Sequence, residues 1–174
     1  AGEYARTASD RGLRVADAVF DVERTFNGKI FRLRDHLERL YRSLKFVRID
    51  PHLTIDEMEQ ITLEVVARNE PLRDPAGDYS VWQTVTRGMG STVRDEAPPT
   101  VCVRLYPIDF NRYARFYRTG AHVVFPRTRS YTSDSIDPKV KHYSRMNFVM
   151  AELEATDIDP EAYPVLLDQA GNIT

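Results

Sequence analysis

Two lysines, Lys139 and Lys141, occupy alternate positions of "DSIDPKVKHYSRMNF" (134–148), a proline-marked extended segment that leads into a helix expected from about Tyr143. A lysine that forms a Schiff base with a carbonyl needs a rigid mount, enough desolvation to release its free amine, and an open approach. Lys141 lies where a strand-like segment meets a helix, so its side chain can be held firmly and still face a cleft. Lys139 has the same parity but adjoins Pro138, farther from the helix. On the residues alone, both also read as solvated charges, as most lysines are.

Arg39 is the other candidate. It falls beside the apolar stripe of the helical segment "RDHLERLYRSLKFV", flanked at helical spacing by His36 and Ser43. It is either a fixed guanidinium fork aimed at an anion or an edge residue whose stem covers apolar surface. Other chemistries lack their patterns. His36, His52, His122, His142 and the single Cys102 show no metal-ligand spacing, so no metal is expected. No glycine-rich phosphate loop and no nucleophile elbow is present. Asp56 and Glu57 sit at a helix start, where the dipole accounts for them.

The elements that must position these residues follow from periodicity. "AVFDVERTF" (18–26) alternates as a strand, with Phe20, Val22 and Arg24 on one face. Asn27-Gly28 then signals a hairpin whose return strand is "KIFRL". Leu37, Leu40, Leu44 and Val47 mark a helix. Thr54 and Glu57 form a capping box for a second helix through Ala67, with Ile55, Met58, Ile61 and Val65 on its apolar face. "DYSVWQTVTRG" and "PTVCVRLYPI" read as strands around the polar loop "MGSTVRDEAP". These predict an α+β first domain over 1–107, with a mixed or antiparallel sheet. The segment 108–119, "IDFNRYARFYRT", is expected to connect two lobes. A second domain begins at 120 with the strand "AHVVFPR", a helix striped by Met146, Val149, Met150 and Leu153, the buried strand "AYPVLLD" and the turn "QAGN". One helix and two or three strands are too few for a separate core, so the second lobe reads as truncated.

The chain has 174 residues, 42% apolar and 29% charged, with a formal net charge of -2. That balance offers nothing to attract nucleic acid or an anionic membrane surface. No apolar run approaches the roughly 20 residues of a membrane span. The opening "AGEYARTASDRG" lacks a signal peptide's apolar core, and the lone Cys102 in "TVCVRLY" suits a buried thiol in a reducing cytoplasm.

The same residues carry a resemblance. "VFDVERTFNGKIFRLRDHLERLYRSL", with Phe31, His36 and Arg39-Leu40, resembles the N-terminal lobe of fold-type IV pyridoxal-phosphate enzymes. "TVTRG" (84–88) is similar to the family's "TRG" strand end, and "YPVLLDQAGNIT" to its following hairpin. "VVFPRTRS" and "IDPKVKHY" most resemble the (R)-selective amine transaminase and D-amino acid aminotransferase branch. The tyrosine that branched-chain enzymes carry five residues after the lysine is Met146 here, and the stretch between "GEY" and "SDRG" is shorter than usual.

The resemblance implies a two-lobed fold with pyridoxal 5'-phosphate between the lobes. It makes Lys141, not Lys139, the catalytic Schiff-base lysine and Arg39 the partner of the cofactor phosphate. Phe20, Val22 and Arg24 would line the substrate pocket, with Arg24 or Arg94 meeting a substrate carboxylate. The implied activity moves an amino group between an amine or amino acid (D-amino acid, (R)-amine or branched-chain type) and a 2-oxo acid, in a homodimer. The alternatives are an aminodeoxychorismate-lyase-like enzyme of this fold and a non-catalytic dimerisation or regulatory module. The family's glutamate for the pyridine nitrogen and its phosphate-gripping turns would follow Thr174, so the chain reads as a fragment.

Overall fold

The strand read at 18–26 is the central element of the first unit. The computed structural model describes residues 8–174, so most of the N-terminal "AGEYARTASDRG", including the short stretch after "GEY", lies outside the described residues. The chain forms two units. The first ends at Ile108 and takes in Val140–Ser144; the second comprises Asp109–Lys139 and Arg145–Thr174.

In the first unit a short helix, α1 (Arg11–Val15), is N-capped by Asp10, whose Oδ1 accepts from the Gly12 amide at 2.7 Å. Strand β1 (Ala18–Phe26) turns through Asn27 and Gly28, at φ 50 and 76, into β2 (Lys29–Ile30). Two left-handed residues in succession are what a two-residue hairpin of the favoured twist requires. The return strand is shorter than "KIFRL" suggests, because Arg32 at φ 51 redirects the chain into α2 (Leu33–Val47). After α3 (Ile55–Asn69) come β3 (Tyr79–Thr86) and β4 (Thr100–Pro107), giving an antiparallel sheet of order β2-β1-β3-β4.

One face of this sheet is closed by α2 and α3. Val19, Leu37, Leu40, Leu44, Met58 and Val85 form its core, each contributing roughly 1.5–3 kcal/mol by leaving water. The capping box of Thr54 and Glu57 is present. The buried stripe of α3, however, is Met58, Thr62 and Val66, with Ile55, Ile61 and Val65 only flanking it. Thr62 can occupy the centre because its hydroxyl bonds back to the Met58 carbonyl at 2.8 Å. A hydrophobicity pattern does not register that partner.

The other edge of β1 is taken by the segment around Lys141. The Phe20 amide donates to the Lys141 carbonyl at 3.0 Å, and the Tyr143 amide to the Ala18 carbonyl at 3.0 Å, with His142 opposite Val19. Val140 joins the core. Residues here stay extended to pair with β1, so the next helix starts at Met146 and not near Tyr143.

The second unit opens with two helical turns, α4 (Asn111–Ala114) and α5 (Phe116–Thr119), where an irregular connection is expected. The strands read over "AHVVFPR" and "AYPVLLD" shrink to a parallel pair, β5 (Val123–Val124) and β6 (Tyr163–Pro164). Prolines 126 and 164 remove the donors that longer ladders need. Helix α6 (Met146–Ile158) buries Ala151 and Ala155, while Met146, Val149, Met150 and Leu153 are exposed. The small alanines form its packed face, because they permit closer approach than the larger stripe expected from spacing. Among the described residues, no helix is long and apolar enough to cross a membrane.

The "TRG" end of β3 depends on Gly88. Its φ is +83, and a Cβ built there would lie 1.9 Å from the Pro98 carbonyl oxygen. Gly88→Ala is expected to destabilise the first unit by about 1–3 kcal/mol from backbone strain, with the overlap adding to it. Urea unfolding monitored by circular dichroism measures this; a midpoint unchanged from wild type would contradict it.

Candidate active site

Alternation along β1 separates its side chains into two environments. Val19, Asp21, Glu23 and Thr25 face the helices. Phe20 and Val22 face the opposite side, where cross-strand register adds Thr84 and Trp82 from β3 and Cys102 and Arg104 from β4. Lys141 and Tyr143, two residues apart on the added edge, share that second face.

Lys141 is held by its backbone on both sides. Its amide donates to Ser43 Oγ of α2 at 3.3 Å, and its carbonyl accepts from Phe20. The side chain runs over aromatic surface, with Nζ 4.3 Å from the Phe20 ring centroid. Phe20 stacks on Trp82 at 5.6 Å and 7° between planes, and meets Tyr143 at 4.7 Å between centroids. Tyr143 Oη lies 3.1 Å from Thr84 Oγ1 and accepts from Arg104 Nη2 at 3.0 Å. The face therefore offers an amine on a fixed backbone, an aromatic wall and a guanidinium among hydroxyls.

Arg39 lies one helical turn before Ser43, so the α2 stripe of His36, Arg39 and Ser43 flanks β1 and reaches the Lys141 amide. Arg39 grips the fully buried Asp21 with two bonds, Nε to Oδ2 at 2.7 Å and Nη2 to Oδ1 at 2.6 Å. His36 Nδ1 is 2.9 Å from Oδ1. Burial opposes ionisation of Asp21, but the bonds from Arg39, His36 and the Val22 amide outweigh it and hold the carboxyl below its usual range. Asp21 in turn raises the Arg39 pKa. The Arg39 side chain remains 45% exposed, and Nη1 is not used on Asp21, so this ion pair leaves donors available.

Two residues along β1, Glu23 is also buried. Gln83 Nε2 donates to its Oε1 at 2.6 Å, while Glu23 Oε2 and Gln83 Oε1 are buried without partners. Both unpartnered atoms are acceptors, so a proton on Glu23 is the species that fits. Burial pushes its pKa up to about 7; the Gln83 bond resists this and the Asp21 charge adds to it. Asp21, Glu23 and His36 bring ligand atoms within 4.8 Å of one another, a grouping the sequence spacing does not reveal. Both Asp21 oxygens already accept from Arg39, so the cluster is an ion-pair network with the guanidinium as its cation.

Of the expected site residues, Phe20, Val22 and Lys141 share the second face, while Arg39 lies on the helix side of β1 against Asp21. Arg24 has the same parity but is engaged at the hairpin end: Nη2 is 3.5 Å from Asp78 Oδ2, and its guanidinium carbon lies 4.0 Å from the Phe26 centroid. Arg94 is exposed in the loop before β4, its amide donating to Thr92 Oγ1 at 3.1 Å. A concavity of about 560 Å³, lined by His52, Arg87, Asp95 and Pro98 among others, contains none of the Lys141 group. Sequence reading passed over Asp21, Glu23, Trp82, Thr84, Arg104 and Tyr143. The available signal was charge within apolar alternation, as in "VCVRLY" and "FDVER".

The family model described as Amino-transferase class IV matches residues 18–174. The chain belongs to this family. Among curated proteins, the class IV chain is 32% identical over 167 residues to a putative branched-chain-amino-acid aminotransferase of Methanocaldococcus jannaschii, covering 93% of this chain and 54% of that protein. It is 34% identical over 86 residues to a D-alanine aminotransferase of Bacillus licheniformis, covering 49% and 29%. The chain thus spans about half the length of the first of these relatives and less of the second. The fold is that of the branched-chain aminotransferase of Thermoproteus uzoniensis, solved with norvaline (TM-score 0.80, 23% identity, 99% of this chain and 57% of that one). It is likewise that of the branched-chain amino acid aminotransferase of Escherichia coli (TM-score 0.80, 20% identity, 97% and 56%). Both branched-chain and D-alanine names occur among relatives of this class IV chain, so names alone select no substrate.

The raised Glu23 pKa has a definite sign. The folded state holds this proton more tightly than the unfolded chain, so the contribution to stability is full below about pH 4.5 and is lost as pH rises to about 7. The slope attributable to one proton is at most about 1.4 kcal/mol per pH unit. Glu23→Gln is expected to flatten stability across this window and to exceed wild type at pH 8. Urea midpoints at several pH values test this, and parallel wild-type and variant curves would refute it.

Proposed function

We propose that the chain is the lysine-bearing portion of a pyridoxal-phosphate-dependent aminotransferase, acting between an amine or amino acid and a 2-oxo acid. The single observation that carries this reading is the run from Arg39 through Ser43 to Lys141. One helix turn separates a partly exposed guanidinium from a hydroxyl that receives the lysine's amide. The cofactor needs a fixed amine and an anion grip, and these residues supply both groups. Lys141 would anchor the cofactor, and Arg39 would hold its phosphate with the donors not spent on Asp21.

When bound, the cofactor supplies the electron sink. The rest is done by this chain's residues. Lys141 Nζ moves a proton at the substrate carbon that bears the amino group. Phe20 supports the amine from below, and Val22 and Trp82 extend an apolar wall for the substrate. Asp21 fixes Arg39 as a rigid fork, and His36 completes that carboxylate's bonds. The lyase and non-catalytic alternatives lack a supporting observation, since the relatives named above are aminotransferases. The buried Cys102 accords with a reducing, cytoplasmic setting.

Four outcomes are expected. Borohydride treatment of the loaded protein, followed by peptide mapping, should recover the cofactor on the peptide carrying Lys141; recovery at Lys139 would overturn the assignment. Lys141→Ala should abolish transamination, while Lys139→Ala costs little. Arg39→Ala should weaken cofactor binding roughly ten- to 150-fold, from the 1.5–3 kcal/mol of a charged hydrogen bond, with Arg39→Lys restoring it only in part. Unchanged affinity with reduced apo stability would return Arg39 to a purely structural role beside Asp21. Finally, of Tyr113, Phe116 and Tyr117 in the connection, Tyr113 and Tyr117 are exposed, Tyr117 at 92%, and Phe116 is half-buried. A homodimer burying at least about 1,200 Å² is expected by sedimentation, and a fully active monomer would contradict it.

A further inference from the structure

Arg104 is the cation on the Lys141 face that has no carboxylate. Among the described residues, no acidic group lies within ion-pair distance of it, whereas Arg24, the other arginine of that parity, has Asp78. Its partners are neutral hydroxyls: Nη2 donates to Thr84 Oγ1 at 3.2 Å and to Tyr143 Oη at 3.0 Å, and Nη1 to Tyr106 Oη at 3.3 Å. Three of its five N–H groups are thereby used. Nε is buried with no hydrogen-bond partner. Trp82 and Tyr106 add ring faces at 6.0 and 5.8 Å.

A half-buried guanidinium held by phenols, with a buried donor unspent, has been desolvated without being neutralised. That is costly unless an anion completes the site, and the attraction for one is strong where water is scarce. Its position specifies which anion. Tyr143, which touches Arg104 through its hydroxyl, touches through its ring the same Phe20 that supports Lys141 Nζ. An anion at Arg104 would therefore sit on the same aromatic face as the lysine amine.

We infer that Arg104 receives the carboxylate of the amino acid and 2-oxo acid substrates, with Tyr143 and Thr84 orienting its fork, a role that rests on the aminotransferase reading above. It takes the place first considered for Arg24 and Arg94. Arg104 is a specificity residue: it favours a carboxylate-bearing substrate over an amine or ketone of similar shape, and leaves the proton transfer to Lys141.

The test compares pyruvate with acetone, in which a methyl replaces the carboxylate. Binding is measured by calorimetry and by the fluorescence of Trp82, the sole tryptophan, with and without pyridoxal phosphate. Wild type should prefer pyruvate. Arg104→Gln should weaken pyruvate roughly ten- to 150-fold and leave acetone unchanged. Arg104→Lys, which keeps the charge should the glutamine variant fail to fold, should weaken pyruvate by at least about threefold because it lacks the fork. Tyr143→Phe should shift pyruvate in the same direction and spare acetone. No pyruvate preference in wild type, or one retained in Arg104→Gln or undiminished in Arg104→Lys, would overturn the proposal. If pyruvate binding depends on Arg104 but no cofactor binds, the aminotransferase reading fails and Arg104 is left as a carboxylate site with no part in transamination. Transamination with an Arg104-independent preference fails only this one.

Discussion

The register between β1 and residues 141–143 is the constraint on which the rest of the first unit depends. Two backbone hydrogen bonds, from Phe20 to Lys141 and from Tyr143 to Ala18, set which side chains of the added edge look toward the aromatic face. Strand side chains alternate with a period of two, so a slip of one residue would turn Lys141 inward and present His142 in its place. The Ser43 hydroxyl and the burial of Val140 both oppose such a slip. Site geometry here is thus a consequence of strand pairing, and the lysine inherits its position from the sheet.

The two faces of β1 handle polarity differently. Toward the helices, Asp21 is buried and ionised because Arg39, His36 and a backbone amide satisfy it. Glu23, two residues on, accepts from the Gln83 amide at one oxygen and, with the other unpartnered, is pushed toward its neutral form. Burial is common to both carboxyls; the number and charge of their donors differ, and that difference decides the protonation state. On the opposite face the Arg104 guanidinium is surrounded by hydroxyls and, among the described residues, has no carboxylate within ion-pair distance. The inner carboxylate fixes its guanidinium and leaves part of it exposed, whereas the outer guanidinium is held by neutral groups alone.

Much of this was legible in the sequence, for physical reasons. The strand at 18–26, the Asn27-Gly28 turn, α2 and the Thr54–Glu57 box appear where local pattern, turn chemistry and capping agree. Phe20 and Val22 fall on one face because strand parity is a local property. Legibility failed where partners are distant. Thr62 lies at the centre of a buried stripe only because its own backbone satisfies it, and residues 140–144 remain extended only because β1 is there to receive them. Arg104 and Tyr143 are 39 positions apart in sequence and meet only through the register of β4 with β3 and of the added edge with β1. In α6 the spacing of Met146, Val149, Met150 and Leu153 marks a stripe, yet alanines line the packed face.

The first unit is discontinuous in sequence, and this bears on its birth. Its first segment ends at Ile108, but the edge of β1 beside Val19 is filled only by Val140–Ser144. During synthesis roughly thirty further residues must emerge before that edge can close, about 2–6 s at 5–20 residues per second. Throughout that interval the nascent sheet presents open amide and carbonyl groups beside Ala18 and Phe20, the kind of edge that invites pairing with another chain. The segment that ends this exposure is also the one that carries Lys141. The candidate amine and the protection of this edge therefore arrive together during chain growth.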